Sequence, residues 1–245
     1  MLVVPKLNRV IVCFISAMLV PEATYSTSIA FIRSDSRIVV AADSKDTVTT
    51  VRGRSYAGNH CKIHVTKTVI YGFANLTEER KTGFSAPDIA NAVIIKSSTL
   101  EEIANRFAAS AKIPLTEALV QVRRDFPKIY QAQLRDTVLQ SAFGTIENGI
   151  PKLAIVEFKV PESGPVISIK PTISYDPGRP TRVQIGKNKA ASSYRGTGND
   201  IVDARRLVEI EIADQPQEVG GPIDEIMLDA SGVHWIAPYG ACGQR

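Results

Sequence analysis

The sequence predicts an α+β protein, its order compatible with two β-sheets stacked between helical layers, and three observations predict it. Strand-like, β-branched runs crowd the first third of the chain; between Pro87 and Asp136 the apolar residues take helical spacing; strand-like runs then return, interrupted by one more helical stretch.

The first run, TSIAFIR, begins at Thr27 and is joined by a polar Ser-Asp-Ser turn to RIVVAAD, as in a β-hairpin. The polar stretch from Ser44 to Asn59 is expected to hold a short strand and a loop, and CKIHV and TVIYGFA to complete the first sheet. Leu100, Ile103, Ala104, Phe107 and Ala108, then Leu115, Leu119, Val122, Phe126 and Tyr130, mark amphipathic helices, with a break expected at Pro114. Strands are expected again at SAFGTIE, PKLAIVEFK and PVISIKPTISYD, with turns at Asn148-Gly149 and Asp176-Pro177-Gly178. IVDARRLVEIEIA reads as a helix, and PIDEIMLDASGVHWIAP as a closing hairpin that turns between Asp229 and Gly232.

Composition narrows the function. The chain has 245 residues, 44% hydrophobic and 22% charged, enough for one domain with a sizeable core. Its net charge of +4 is spread among acidic residues without a dense basic run, so nothing points to nucleic acid. Three cysteines (Cys13, Cys61, Cys242) and three histidines (His60, His64, His234) have no ligand-like spacing, so no metal site is expected.

Lys6 and Arg9 precede an apolar run from Val10 to Val20, followed by Pro21 and a short polar stretch ending at Ser26. That order is the order of a secretory signal peptide, and the run falls short of the roughly 20 residues that a membrane span needs. Residues 1–26 are therefore expected to be a signal peptide or propeptide, and residues 27–245 one domain. The expected location is secreted or periplasmic, without stable membrane association after processing; the alternative is a cytoplasmic protein with a cleaved propeptide. A retained apolar segment that tethers a binding protein is a further alternative.

TSIAFIRSDSRIVVAADSK resembles the opening hairpin of proteasome β subunits and of the related bacterial ATP-dependent peptidase, within the N-terminal-nucleophile (Ntn) hydrolase superfamily. Members begin the mature chain at a threonine and carry an Asp at the end of the second strand; Asp43 follows Thr27 by 16 positions. Cys61-Lys62-Ile63 matches the next strand with its Lys. VIYGFAN matches the segment whose backbone helps form the oxyanion hole, with Asn75 where the family has Gly. YRGTGND resembles the Gly-Ser-Gly turn before a late helix, and EVGGPIDEIML the Gly-Gly stretch before the last hairpin. Pro216 and Val219 stand where the family has Asp and Ser, and Ser26 where it has Gly before the nucleophile.

The resemblance implies a four-layer αββα sandwich and a threonine-type amide or peptide hydrolase that acts through an acyl-enzyme. Thr27 becomes the nucleophile once residues 1–26 are gone, because its free α-amine, with an ordinary pKa of about 7.7–8.0, can take the hydroxyl proton. Lys62 keeps that amine unprotonated and Asp43 orients Lys62. Asn75 offers an oxyanion donor, Phe73 a wall of the side-chain pocket, and Thr197 and Ser44 support. Cys61 is expected to be a buried cysteine or to pair with Cys242. No metal or organic cofactor is needed, the substrate is a peptide or small amide, and a homo-oligomer fits the family. The rival expectation is a non-catalytic structural or assembly subunit with the same fold.

Overall fold

The computed structural model describes residues 23–24, 27–50, 53–161, 167–175, 180–236 and 240–244. The apolar run of residues 10–20, Ser26 and the turn at 176–178 lie outside them.

The described chain is α+β with antiparallel sheets. Strands β1 (Ala23–Thr24), β2 (Ser28–Arg33), β3 (Arg37–Asp43), β4 (Lys45–Thr50), β5 (Gly53–Asn59), β6 (Ile63–Thr66), β7 (Val69–Asn75), β8 (Glu78–Glu79) and β9 (Phe84–Ser85) come first. Helices α1 (Ala86–Ile95), α2 (Leu100–Asp125) and α3 (Pro127–Ile129) follow, then β10 (Thr137–Glu147), β11 (Ile150–Lys159), β12 (Lys170–Tyr175) and β13 (Thr181–Gly186). Helix α4 (Asp200–Asp214) and the hairpin β14 (Ile223–Asp229) and β15 (Gly232–Ile236) complete the order.

Of three five-stranded sheets, two carry the core, ordered β13-β2-β3-β14-β15 and β12-β11-β10-β7-β6, and the third is ordered β5-β4-β1-β8-β9. Side chains alternate faces along a strand, and β2 and β3 are apolar on both. Ile29, Phe31, Ile38 and Val40 pack against Ile63, Ile70, Ala142 and Leu153 of the other sheet. Their alternates Ala30, Ile32, Val39 and Ala41 meet Ala204, Leu207 and Val208 of α4. This two-sided burial explains why these strands read as continuous apolar runs. On the far face of the second sheet, Phe143 and Phe158 pack against Phe107 and Leu115 of α2. Each such side chain contributes about 1.5–3 kcal/mol relative to exposure.

The structure departs from expectation in three places. β6 and β7 do not complete the β2–β3 sheet; β7 pairs with β10, and the hairpin faces β2 and β3 across the apolar layer. Alternation fixes which face of a strand is buried but not which sheet it joins. Residues 45–59 form two paired strands, not one strand and a loop. Pro114 lies inside α2, and the helix break falls instead between Ile95 and the Thr99 cap of α2. Ala111, Leu115, Ala118 and Leu119 continue one buried stripe past the proline, and that burial offsets a penalty of ~3 kcal/mol. The Asn148-Gly149 turn forms as expected, with positive φ at both residues (52° and 77°).

Candidate active site

Thr27 directly precedes β2 and is 5% exposed. Its carbonyl oxygen accepts a hydrogen bond from the Lys187 backbone N–H at 2.8 Å. Gly186, at φ +80°, lies so close that a Cβ there would collide with the same oxygen. Position 186 therefore needs glycine for its φ and for its approach to Thr27. Gly186 N–H in turn donates to the Gln140 side-chain oxygen at 2.9 Å, tying this turn to β10 in the other sheet.

Asp43 ends β3, fully buried, and serves three donors. Its Oδ1 accepts from Ser28 N–H at 2.8 Å; its Oδ2 accepts from Lys62 Nζ at 2.9 Å and Gly220 N–H at 3.2 Å. One carboxylate thus joins the residue after Thr27, the lysine before β6 and the Gly-Gly turn before β14. The Lys62 side chain is 9% exposed. Burial pushes the Asp43 carboxyl above, and the Lys62 ammonium below, its ordinary range, and the attraction between them opposes both shifts.

Thr27 and Lys62 line one cavity of about 120 Å³ together with Asp46, His60, Phe73 and Glu78. Phe73 has two environments, since its ring also packs on Phe107, Phe143 and Tyr71. A second cavity of about 180 Å³ opens on another side of Thr27, lined by Asn75, Gln133, Gly186, Lys187 and Glu218. Lys187 and Glu218 form an ion pair of 2.6 Å there.

Asn75 has φ +74°, the left-handed region that favours glycine, and it sits beside Thr27 in the second cavity. Its side-chain amide donates to the Thr137 carbonyl at 3.3 Å. Ser44 supports the turn behind Asp43: its N–H meets the Gly220 carbonyl and its hydroxyl donates to the Pro222 carbonyl at 2.8 Å.

Thr197 is not brought to this cluster. Its hydroxyl and N–H both donate to Asp203 Oδ1, at 2.9 and 2.7 Å, so the Gly-Thr-Gly turn is fixed to the first turn of α4. Arg182, beside Gly196, pairs with Ile32 at the far end of β2; at about 3.3 Å per residue this is roughly 13 Å along β13 from Gly186. The turn that touches Thr27 is Gly186-Lys187. Sequence reasoning missed it, although the alternating TRVQIG ending in Gly was a readable signal.

Cys61, adjacent to Lys62, is disulfide-bonded to Cys242. The Ala241 and Cys242 N–H groups both donate to the buried Asp224 carboxylate, each at 3.0 Å, so the C-terminal turn is held by the disulfide and by Asp224 of β14. Among the described residues no His, Cys, Asp and Glu cluster is arranged to hold a metal ion, and no helix is long and apolar enough to cross a membrane.

Comparison of the chain with protein-family models and with curated proteins finds no match.

Proposed function

We propose that the chain, once residues 1–26 are removed, is a threonine-type Ntn hydrolase that cleaves amide bonds in peptides. The observation that carries this reading is the shared carboxylate: Asp43 holds the residue after Thr27 and Lys62 at once, and Lys62 and Thr27 line one cavity. A structural lysine would be expected to point its charge to water; this one is buried against Asp43 and lines the cavity that Thr27 also lines.

In the proposed reaction the Thr27 α-amine takes the hydroxyl proton, directly or through one water, and the oxygen attacks the substrate carbonyl. Lys62, charged and held by Asp43, disfavours a second positive charge on the amine. The Asn75 backbone N–H is the candidate donor to the developing oxyanion, and removal of such a donor costs about 2.7–4 kcal/mol in transition-state stabilisation. The leaving amine takes the proton back, and water releases the acyl group by the same route.

Three further features support the reading. The two core sheets with α4 outside one and α1 and α2 outside the other fit the four-layer αββα arrangement. Strand β1, which lies in the segment to be removed, pairs with β4 on one side and β8 on the other, so its departure would leave an extended peptide a groove leading to Thr27. The Cys61–Cys242 disulfide fits export to an oxidising compartment.

N-terminal sequencing of the mature protein, with a hydrolysis assay on wild type and Thr27→Ala, tests the proposal. The expected result is a chain beginning at Thr27 that cleaves peptides, and an inert alanine variant. A mature chain that begins at Thr27 yet neither turns over nor labels would favour a structural subunit.

A further inference from the structure

We infer that the cavity beside Thr27 selects substrates with a cationic side chain on the residue whose carbonyl carbon is attacked. This deepens the reading of Thr27 as an acylated nucleophile and rests on it.

The argument starts from the groove. Its walls are β4 and β8, which pair with β1 in the register Thr24 to Val48 and Ala23 to Glu79. Each wall contributes one carboxylate to the cavity at Thr27, Asp46 from β4 and Glu78 from β8. In the antiparallel register Asp46 lies two positions beyond Val48, toward the Thr27 end of the groove. A peptide laid in this groove with its carbonyl at Thr27 has its last residue level with Asp46 and the residue two before it level with Glu78, and both carboxylates line the cavity that Thr27 lines.

The charges do not cancel within the cavity. The Lys62 ammonium is compensated by the Asp43 carboxylate at 2.9 Å, and the Lys45 ammonium is turned to the Pro216 and Gln217 carbonyls, at 2.6 and 2.9 Å. Lys62 also feels the Asp46 charge, so three carboxylates, Asp43, Asp46 and Glu78, stand against the Lys62 and Lys45 ammonium groups and leave an excess of negative charge. Phe73 and Pro87 supply apolar wall for the methylene stem of a Lys or Arg side chain, while the charged head meets the carboxylates. An acidic side chain in the same place would face two like charges, and an aliphatic one would desolvate them without compensation.

The test is a series of fluorogenic peptides identical except at that residue, carrying Lys, Arg, Leu or Glu, assayed with the mature protein. The expected kcat/KM is about tenfold or more higher for Lys and Arg than for Leu, with Glu slowest. In the double variant Asp46→Asn, Glu78→Gln the Lys-to-Leu ratio should collapse toward one, and Glu78→Lys should shift preference toward the Glu peptide. Turnover or Thr27 labelling that favours Leu or Glu in the wild type overturns this inference alone. Silence of all four peptides, with no labelling by any peptide epoxyketone, overturns the reading of Thr27 and this inference with it. The wild-type comparison does not depend on any variant folding.

Discussion

Lys62 donates to Asp43 across 2.9 Å where the carboxylate has no exposed surface and the ammonium almost none. Removing one member of such a pair leaves the other charge buried and uncompensated, typically at about 3–5 kcal/mol. Lys62→Ala and Asp43→Asn should therefore each lose both turnover and stability, the first by leaving the buried carboxylate and the second by leaving the buried ammonium without its opposite charge. Denaturant unfolding beside a hydrolysis assay separates these effects. Unchanged turnover in either variant would mean that the pair only holds β3 to the segment before β6.

The same pair sets a pH dependence. Burial lowers the Lys62 pKa, so its charge is lost as pH rises through a value below the ordinary lysine value of about 10.4. The α-amine base gains its proton as pH falls through its own pKa, ordinarily about 7.7–8.0. The kcat/KM profile should be bell-shaped, and in Lys62→Arg, whose guanidinium keeps its proton, any remaining activity should extend further into alkali. An alkaline limb that stays put in the arginine variant would assign it to another group.

Much of this arrangement was legible in the sequence because it is local. The β2–β3 hairpin shows in two apolar runs around a Ser-Asp-Ser turn, and Asp43 and Lys62 stand at strand ends in a fixed order. What was not legible depends on partners distant in sequence. Gly186 and Lys187 meet Thr27 across about two-thirds of the chain, and the TRVQIG pattern signals a strand and turn there without recording which residue the turn meets. The Gly196-Thr197-Gly198 turn looked like the supporting turn by its glycines, but Asp203, six residues beyond Thr197, captures its hydroxyl. Pro114 looked like a helix break because burial on both sides of it is a tertiary effect. β6 and β7 form a hairpin soon after the first in sequence, yet β7 pairs with β10, a choice that strand alternation does not encode.

Gly186 offers a test of the turn that replaces that expectation. Gly186→Ala places a methyl group against the Thr27 carbonyl oxygen at φ +80°. The strained φ alone costs about 1–3 kcal/mol, and displacement of Thr27 should reduce turnover further. Thr197→Val should lose the hydrogen bond to Asp203, worth about 1 kcal/mol or somewhat more, and leave turnover nearly intact. Comparable losses of turnover in both variants would contradict the assignment of Gly186-Lys187 as the turn beside Thr27.

The disulfide gives a prediction on stability. Cys61 and Cys242 are separated by 181 positions, and loss of a native disulfide typically costs about 2–5 kcal/mol. Cys242→Ser should lower the unfolding midpoint, and the mature wild-type chain should show no free thiol, since Cys13 leaves with residues 1–26. Two titratable thiols in the mature native protein would contradict the pairing.

The central claim is that Thr27 carries both the nucleophilic hydroxyl and the base. A peptide epoxyketone needs a hydroxyl and a free α-amine on one residue, and mass-spectrometric mapping of its adduct on the mature protein reads out both together. The account predicts a single adduct on the first residue, Thr27, absent in Thr27→Ala. An adduct on any other residue, or equal labelling of the alanine variant, would contradict it.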